Sequence, residues 1–331
     1  MKHIGILTSG GDAPGMNACI RAIVRAAGKE NIRVTGFIRG YAGVLDNQYR
    51  TLDELSVSGI ISSGGTILLS ARCLEMMEEA GCDKAAQNIK NLGIDGLIVI
   101  GGDGTFRGAA DLSARGIATI GIPGTIDGDL SYTDYTIGYD TAVTTIMESM
   151  DQLADTMRSH DRICVVEAMG RNCGLLSLYG GIAGGAQSIL LPEQAVDLDE
   201  VVAKIETARD AGKTHALIVV SEGLRLREGG QEGTAMGAAH IAQLIANRIP
   251  DADVRPVVLG HLQRGGRPTA RDRIAATNMG VYAVELLSQG KVNRVIGQKG
   301  GEVFDMDLFE SQKVPKTFNQ KQLEIAKLVA L

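Results

Sequence analysis

Residues 117–129 read IATIGIPGTIDGD, and they carry more information about the fold than any other stretch of the chain. The first part, Ile117–Ile122, is apolar and rich in β-branched residues, which is typical of a strand buried on both faces of a parallel sheet. A glycine turn and two carboxylates, Asp127 and Asp129, follow this strand. Because ligands bind beyond the carboxyl ends of the strands in open α/β sheets, the segment predicts an active-site loop.

The two carboxylates leave a second interpretation open. Asp and Gly both favour turns, so an Asp-x-Asp pair after a glycine is also typical of a plain solvated turn. Asp127 and Asp129 repel each other when both are ionised, unless one is protonated or a cation lies between them. The residues at the other predicted strand ends are needed to distinguish a solvated turn from an active-site loop.

Composition narrows the class of protein. The chain has 331 residues, 44% of them hydrophobic and 22% charged, which predicts a globular protein of two domains, because single cores usually stop growing below this length. It has neither a membrane-length apolar run nor an opening signal-peptide pattern, so we expect a cytoplasmic protein. The net charge of −6 and the aromatic content of 4% argue against nucleic-acid binding. The five cysteines are scattered without a Cys-x-x-Cys, so we expect buried thiols rather than a disulfide frame or a zinc site.

Strand-like and helix-like segments alternate along the chain, which predicts doubly wound sheets. His3–Thr8, a glycine turn and the helix Asn17–Ala27 form the first half of a βαβ unit, and Leu97–Ile100 has the unbroken apolar run of a central parallel strand. A second α/β set begins near Gly138, and Leu224–Met236 lacks periodicity, which predicts a surface loop. The other predicted strands are Arg33–Ile38, Gly59–Ser62, Ile163–Glu167, Ser188–Leu191, Ala216–Ser221, Arg255–Leu259 and Val292–Gly297. The other predicted helices are Lys84–Asn91, Arg107–Arg115, Asp140–Met157, Gly174–Ala183, Leu198–Ala211, Ala238–Arg248, Asp272–Ser288 and Lys321–Leu328.

Five strand ends carry glycines together with acids or arginines. They read TSGGDAPGMN (8–17), GGDGT (101–105), PGTIDGD (123–129), EAMGR (167–171) and GHLQRGG (260–266). The first matches neither the dinucleotide nor the P-loop fingerprint, but paired glycines before a helix allow backbone N–H groups to approach a phosphate. In the second, Asp103 adds a carboxylate that suits Mg²⁺ beside a phosphate-binding backbone.

In this order and spacing, the five segments resemble the signature of bacterial-type ATP-dependent 6-phosphofructokinases, and the resemblance covers nearly the whole chain. GGDGT alone is also found in NAD kinases and lipid kinases, whereas the full set is specific. The resemblance implies the phosphofructokinase fold, an α/β fold with two doubly wound, Rossmann-like domains of three α/β/α layers. It assigns residues 1–138 and about 263–303 to a larger ATP-binding domain, and residues 139–262 and about 304–331 to a smaller domain that binds fructose 6-phosphate.

The implied reaction transfers the γ-phosphoryl group of ATP to the 1-hydroxyl of fructose 6-phosphate, with Mg²⁺ as cofactor. Asp127 is implied as the catalytic base, and Thr125 and Arg171 as groups beside the transferred phosphoryl. Asp103 and Asp129 are implied as the magnesium ligands. The residues implied for ATP are Gly11, Tyr41, Arg72, Cys73, Gly102, Asp103, Gly104 and Thr105. Those implied for fructose 6-phosphate are Thr125, Ile126, Asp127, Arg162, Met169, Gly170, Arg171, Glu222, Arg255, His261, Leu262, Gln263 and Arg264.

The resemblance also implies a homotetramer built as a dimer of dimers, because in the family Arg162 and Arg255 reach in from a neighbouring subunit. Gly104 and Gly124 stand where pyrophosphate-dependent members typically carry an acid and a lysine. An acid there would repel the phosphates of ATP, so the glycines favour ATP as the donor. Gly128 replaces the usual asparagine.

The implied effector site departs further from the family. Arg21, Arg25 and Lys213 are retained and His215 lies nearby, but the positions of three family arginines and one glutamate are changed. The changed positions are Glu54, Ala154, Ala211 and Gln187, and Met77 also replaces an arginine that some relatives have near the nucleotide. Loss of positive charge weakens attraction for a phosphate, so the sequence predicts weak or altered regulation by ADP or phosphoenolpyruvate.

Four alternative functions remain open from the sequence, and the last of them is a family member that has lost catalysis and has a structural role, which the retained acids argue against. One is a pyrophosphate-dependent phosphofructokinase, and another is a nucleotide or lipid kinase that shares only the GGDGT block. The third is a non-catalytic two-domain binder of sugar phosphates, which would have the same architecture. Such a binder has no reason to carry Asp103, Asp127 and Asp129 at strand ends.

Overall fold

A computed structural model of the chain describes residues 1–225, 233, 236–315 and 317–329. The chain divides into two units. Unit 1 comprises Met1–Ile126, Leu130–Thr141 and Arg264–Lys316, and unit 2 comprises Asp127–Asp129, Ala142–Gln263 and Thr317–Leu331. Most of the loop predicted over Leu224–Met236 lies outside the described residues.

Strands and helices follow one another along the described chain. In chain order they are β1 (His3–Thr8), α1 (Met16–Lys29), β2 (Arg33–Phe37), α2 (Tyr41–Leu45), β3 (Tyr49–Leu52), α3 (Glu79–Asn91), β4 (Gly96–Gly101), α4 (Asp103–Ala114), β5 (Thr119–Pro123), α5 (Tyr139–Ser159), β6 (Arg162–Ala168), α6 (Leu175–Ala183), β7 (Ser188–Leu190), α7 (Leu198–Asp210), β8 (Ala216–Ser221), α8 (Ala238–Arg248), β9 (Asp253–Val258), α9 (Ala270–Ser288), β10 (Arg294–Lys299), β11 (Glu302–Asp307), α10 (Leu308–Ser311) and α11 (Gln320–Val329). Short 3₁₀ helices cover Ile60–Ser62, Leu74–Met77 and Gly260–Arg264.

The described strands of unit 1 form a sheet of seven strands in the order β11-β10-β5-β4-β1-β2-β3. Its two edge strands, β3 and β11, pair antiparallel with their neighbours, and the pairings between the inner strands are parallel. The inner strands β1, β4 and β5 are buried along their whole length, as their apolar sequences predict. Thr8 pairs with Ile100, and Gly101 pairs with Pro123, so the loops after these three strands begin at one edge of the sheet.

The helices of unit 1 pack closely. α1 buries one apolar face and packs against α9. Gly280 permits this close approach, because a Cβ on Gly280 would lie 2.9 Å from the carbonyl oxygen of Cys19. The amino ends of α5 and α9 are joined by Asp272, a fully buried acid. Its carboxylate accepts hydrogen bonds from the Tyr135 hydroxyl, the Gly138 N–H, and the N–H and hydroxyl of Thr141.

The described strands of unit 2 form a parallel sheet in the order β7-β8-β6-β9. β8 is buried along its whole length, whereas β9 is an edge strand on which Arg255, Pro256 and Val258 are exposed. The apolar faces of α7 and α8 pack with residues of β6 and β8 in one core cluster. No helix within the described ranges is long and apolar enough to cross a bilayer.

The structure differs from the sequence predictions at several places. Gly59–Ser62 is not a strand, because Gly59 adopts a φ of 75° and a 3₁₀ helix follows it. The strands β3 and β11 were not predicted. Residues 304–316, expected in the smaller domain, belong to unit 1, because β11 pairs with β10 along the whole strand. The sequence predicts a change of domain near Gly138, whereas in the structure unit 1 continues to Thr141. The short segment Asp127–Asp129 groups with unit 2.

Candidate active site

The first loop of unit 1 follows β1 and is shaped by glycines. Gly10 and Gly15 have φ values of 84° and 106°, in the left-handed region that glycine adopts most easily. A Cβ on Gly11 would overlap the guanidinium group of Arg264, so the missing side chain makes room for that arginine. Arg264 Nη1 donates to the Asp12 carbonyl oxygen at 3.2 Å. Arg264, predicted for the sugar phosphate, therefore lies on the loop that holds Gly11, predicted for ATP.

The GGDGT loop is hydrogen-bonded to the loop that follows β1. Thr105 is buried, and its hydroxyl donates to the Ser9 carbonyl oxygen at 3.1 Å. Tyr41 is also buried, and its hydroxyl donates to the Thr105 carbonyl oxygen at 2.7 Å. Burial raises the pKa of Tyr41 well above its ordinary value, so the phenol stays neutral. The buried side chain of Tyr41 thus stabilises the GGDGT loop through this hydrogen bond. Its predicted contact with ATP stays a prediction.

Asp103 is the first residue of α4 and keeps 40% of its side chain exposed. Its Oδ2 accepts a hydrogen bond from Arg107 Nη2 at 2.5 Å, one helical turn away. Arg72 is exposed and Cys73 is half-buried, and burial raises the pKa of the Cys73 thiol. Met77 keeps 82% of its surface exposed, so it does not extend the core.

The two glycines that bear on the donor have different surroundings. Among the residues that the structure describes, a Cβ on Gly104 would meet nothing within 4 Å. A Cβ on Gly124 would lie 2.9 Å from Ile100 Cγ2 and 3.1 Å from Met16 Cε. Close packing alone accounts for glycine at 124, whereas no described residue excludes a side chain at 104.

Thr125 and Ile126 continue the chain from β5. Thr125 is buried, and its carbonyl oxygen accepts the Thr136 hydroxyl at 2.6 Å. A Cβ on Gly102 would lie 3.5 Å from Thr125 Cβ, so Thr125 stands next to the GGDGT loop. Ile126 is fully buried, so only its backbone is available to a ligand.

In unit 2, the structure brings Asp127 and Arg171 together. Asp127 is 2% exposed, and its Oδ2 lies 3.1 Å from Arg171 Nε. Arg171 has a φ of 52°, an uncommon value for a residue with a side chain, and 56% of its side chain is exposed. Glu222 Oε1 holds this conformation by accepting the N–H groups of Gly170 at 3.3 Å and Arg171 at 2.7 Å. The pair combines a buried carboxylate with a cation that still has donors to offer.

Residues 260–264 form a turn beside Met169. Gln263 is fully buried, accepts the Met169 N–H at 3.1 Å and donates to the Gly260 carbonyl oxygen at 3.0 Å. The Gln263 side chain therefore links the backbone at Met169 to the backbone at Gly260. Its predicted contact with the substrate stays a prediction. His261 and Leu262 are exposed, which leaves the His261 imidazole accessible.

The two remaining arginines lie elsewhere on the sheet of unit 2. Asp253 Oδ2 accepts Arg162 Nε at 2.6 Å, and Asp253 Oδ1 lies 2.7 Å from Arg255 Nε. These arginines hold the pKa of Asp253 below its usual value. Arg162 begins β6, whereas Met169 and Arg171 follow its carboxyl end, so Arg162 and Arg171 are separated by the length of a seven-residue strand, roughly 20 Å.

The residues of the predicted effector site fall into both units. Arg21 and Arg25 lie one turn apart on α1 in unit 1, whereas Lys213 and His215 follow α7 in unit 2. Burial, Lys213 and Arg158 lower the pKa of His215, so its imidazole is neutral at pH 7. Gln187 is buried and its side-chain oxygen accepts the Leu217 N–H. That oxygen serves the sheet of unit 2.

Sequence reasoning missed Asp253, Cys173 and Asp272. Asp253 precedes Arg255 by two residues on one strand, so the period of a strand would have placed the two side chains on one face. Cys173 and Asp272 carry no comparable signal, because their partners are far away in the sequence.

The carboxylate of Asp103 has the chemistry that a magnesium ligand needs. Within the described residues, no three histidine, cysteine or acidic side chains are grouped as metal ligands. Mg²⁺ in phosphoryl-transfer enzymes takes one or two carboxylates and completes its shell with phosphates and water. The partly exposed carboxylate of Asp103, at the start of a helix next to a glycine loop, fits that role.

Glycine-rich strand ends, acids and arginines of this kind define an α/β phosphotransferase, because phosphoryl transfer needs positioning and charge stabilisation. The family model described as phosphofructokinase matches residues 3–287, and the chain belongs to the phosphofructokinase family.

Relatives in sequence and in structure agree with this assignment. The chain is 49% identical over 329 residues to the ATP-dependent 6-phosphofructokinase 1 of Clostridium perfringens, covering 99% of both chains. It is 48% identical over 330 residues to the ATP-dependent 6-phosphofructokinase of Clostridium botulinum strain Loch Maree, covering all of both. The structure of phosphofructokinase from Saccharomyces cerevisiae matches 99% of this chain with a TM-score of 0.86 and 34% identity, and this chain spans 47% of that longer one. A pyrophosphate-dependent phosphofructokinase from Nitrosospira multiformis, 23% identical with a TM-score of 0.85 over 96% of this chain and 86% of its own, shows the shared fold alone. The predicted phosphofructokinase fold is confirmed.

Proposed function

We propose that the chain transfers the γ-phosphoryl group of ATP to the 1-hydroxyl of fructose 6-phosphate, giving fructose 1,6-bisphosphate and ADP. It is an ATP-dependent 6-phosphofructokinase of glycolysis, in keeping with relatives that match along their full length. The observation that carries the proposal is the buried Asp127 carboxylate 3.1 Å from Arg171 Nε, on a glycine turn that follows β5. A carboxylate accepts a hydroxyl proton, and an arginine stabilises a phosphoryl group.

Each residue has a defined task in this reaction. The 1-hydroxyl oxygen forms a bond to the γ-phosphorus as its proton passes to Asp127, and the bond from that phosphorus to the β,γ-bridging oxygen breaks with its electrons leaving on ADP. Arg171 donates to the oxygens of the phosphoryl group in transit, and the Thr125 hydroxyl steadies the same group. Asp103 and Asp129 would hold Mg²⁺, which supplies positive charge to the β- and γ-phosphates when it is bound.

The donor is tested first with the unaltered protein and then at Gly104. We expect faster turnover with ATP than with pyrophosphate, and the reverse would overturn the proposed donor. Because a Cβ on Gly104 meets no described atom within 4 Å, Gly104→Asp should fold normally and place a negative charge near the nucleotide phosphates. We expect kcat/KM for ATP to fall by at least about tenfold. Gly104→Asn is the matched control for bulk, and an equal loss in both variants would contradict the electrostatic argument.

We also propose a homotetramer in which neighbouring subunits share substrate sites. The support is the placement of Arg162 and Arg171 at opposite ends of β6, since one chain needs its neighbour to bring Arg162 to an Asp127 site. We expect light scattering to give the mass of four chains. Arg162→Ser and Asp127→Ser proteins should each have strongly reduced activity, and their mixed oligomers should regain activity, because some sites then contain both native residues. Mixed oligomers without recovery would contradict sharing. A cytoplasmic location stays a prediction.

Regulation by anionic effectors should be weak. Glu54 is exposed, Gln187 is engaged with the backbone of Leu217, and His215 is neutral at pH 7, so these positions offer little positive charge to a phosphate. We expect ADP or phosphoenolpyruvate to shift the half-saturating concentration of fructose 6-phosphate by less than about twofold. Glu54→Arg should enlarge the shift. A strong response of the unaltered protein would refute the prediction.

A further inference from the structure

Cys173 contacts the turn that carries the proposed catalytic base. It lies on the loop between β6 and α6, two residues after Arg171, and is partly buried. Its thiol donates to the carbonyl oxygen of Gly128 at 3.4 Å. Gly128 lies between Asp127 and Asp129, so the thiol touches the backbone next to the proposed base.

The loop of Cys173 is held in place on both sides. The Cys173 N–H donates to the Gly170 carbonyl oxygen at 2.9 Å, and the carboxylate of Glu222 accepts the N–H groups of Gly170 and Arg171. On the other side, the Gly174 N–H donates to Glu193 Oε1 at 2.7 Å. Hydrogen bonds therefore hold the backbone on both sides of the Cys173 thiol.

The backbone turn at Gly128 depends on contacts with the side chains of the neighbouring loop. Gly128 has a φ of 69°, and glycine has more conformational freedom than any other residue because it has no side chain, so Gly128 does nothing by itself to fix the turn. Arg171 contacts the carboxylate of Asp127, and Cys173 contacts the carbonyl that follows it in the chain. Two side chains of one loop thus hold the side chain of Asp127 and the backbone beyond it.

We propose that Cys173 is a positioning residue that keeps Asp127 in place for proton transfer. The inference rests on the proposed function, in which Asp127 is the base. A thiol is a weak hydrogen-bond donor, so the expected loss on its removal is far smaller than the loss of the base itself. We expect kcat to fall by about three- to tenfold in Cys173→Ala.

The test compares Cys173→Ala with Cys173→Ser, two side chains of similar size that differ in the donor. Alanine should lower kcat and leave the KM values for ATP and fructose 6-phosphate within about twofold, and serine should restore kcat, because its hydroxyl donates to the same carbonyl. Cys19→Ala, which removes a buried thiol from α1, should leave kcat unchanged. In the Asp127→Ser background, Cys173→Ala should cause no further loss, since residues that act through one another are not additive.

Each outcome decides the matter. Unchanged kcat in Cys173→Ala, failure of serine to restore it, or a further loss in the Asp127→Ser background would overturn the positioning role. These results leave the proposed function standing, because the turnover of the unaltered protein with ATP and fructose 6-phosphate is measured first. An unaltered protein without that turnover would overturn the proposed function and the positioning role with it.

Discussion

Replacement of Asp127 by serine is expected to lower kcat by a factor of about 10²–10⁴, with little change in the KM values for ATP and fructose 6-phosphate. Asp127 is 2% exposed and faces Arg171 Nε, so its carboxylate is held in one place before the substrate arrives. Serine is polar but has no basic group at neutral pH. Because a general base acts only as the proton moves, its removal raises the energy of the transition state and leaves substrate binding largely intact.

Steady-state kinetics with each substrate varied in turn give the required separation of kcat and KM. Asp127→Asn keeps the size of the side chain and an oxygen for Arg171, and it should lose as much activity as the serine variant. Asp251→Ser is the matched control in unit 2, because Asp251 is an acid with 71% of its side chain exposed that pairs with Arg209. It should change kcat by less than about twofold. A loss below about tenfold in Asp127→Ser would contradict the assignment of the base.

The sequence predicted the interior of the fold better than its edges. β1, β4 and β5 lie in the middle of the larger sheet, where both faces are buried, so their apolar runs are visible in the sequence. β3 and β11 are edge strands, with exposed or half-exposed residues at most positions. They form because a neighbouring strand supplies hydrogen bonds, which is information that a local pattern does not contain. The placement of residues 304–316 in unit 1 follows from the same pairing.

The candidate site shows a similar division. Motifs identified the loops, but the orientation of individual side chains within them depends on long-range contacts. The motifs predict that Tyr41 and Gln263 contact ligands, and they do not reveal that both side chains are buried and bond to neighbouring loops. Asp253 organises Arg162 and Arg255 through the register of β6 with β9, and Cys173 reaches Gly128 across 45 positions of sequence. Such partners are set by the fold, so the motif alone does not reveal them.

Asp272→Ala should lower the free energy of unfolding by about 3 kcal/mol, because its buried carboxylate, in the first turn of α9, accepts from four donors at or just before the start of α5. Alanine would leave the Tyr135 hydroxyl, the Gly138 N–H and both donors of Thr141 without this acceptor. Burial raises the pKa of Asp272, and the hydrogen bonds oppose that shift, so ionisation itself costs the folded state free energy. Removing the carboxylate also removes this cost, and we therefore expect a loss at the lower end of the range for broken buried pairs.

Thermal unfolding followed by circular dichroism measures the effect of Asp272→Ala, with an expected decrease in Tm of roughly 4–12 °C. Asp272→Asn should lie between the alanine variant and the unaltered protein, because the amide oxygen still accepts from two donors while its NH₂ group opposes the other two. Asp83→Ala is the matched control in unit 1, because Asp83 pairs with Arg115 but keeps 69% of its side chain exposed. It should change stability by less than about 1 kcal/mol. If Asp272→Ala unfolded at the temperature of the control, the carboxylate would not be what joins the starts of α5 and α9.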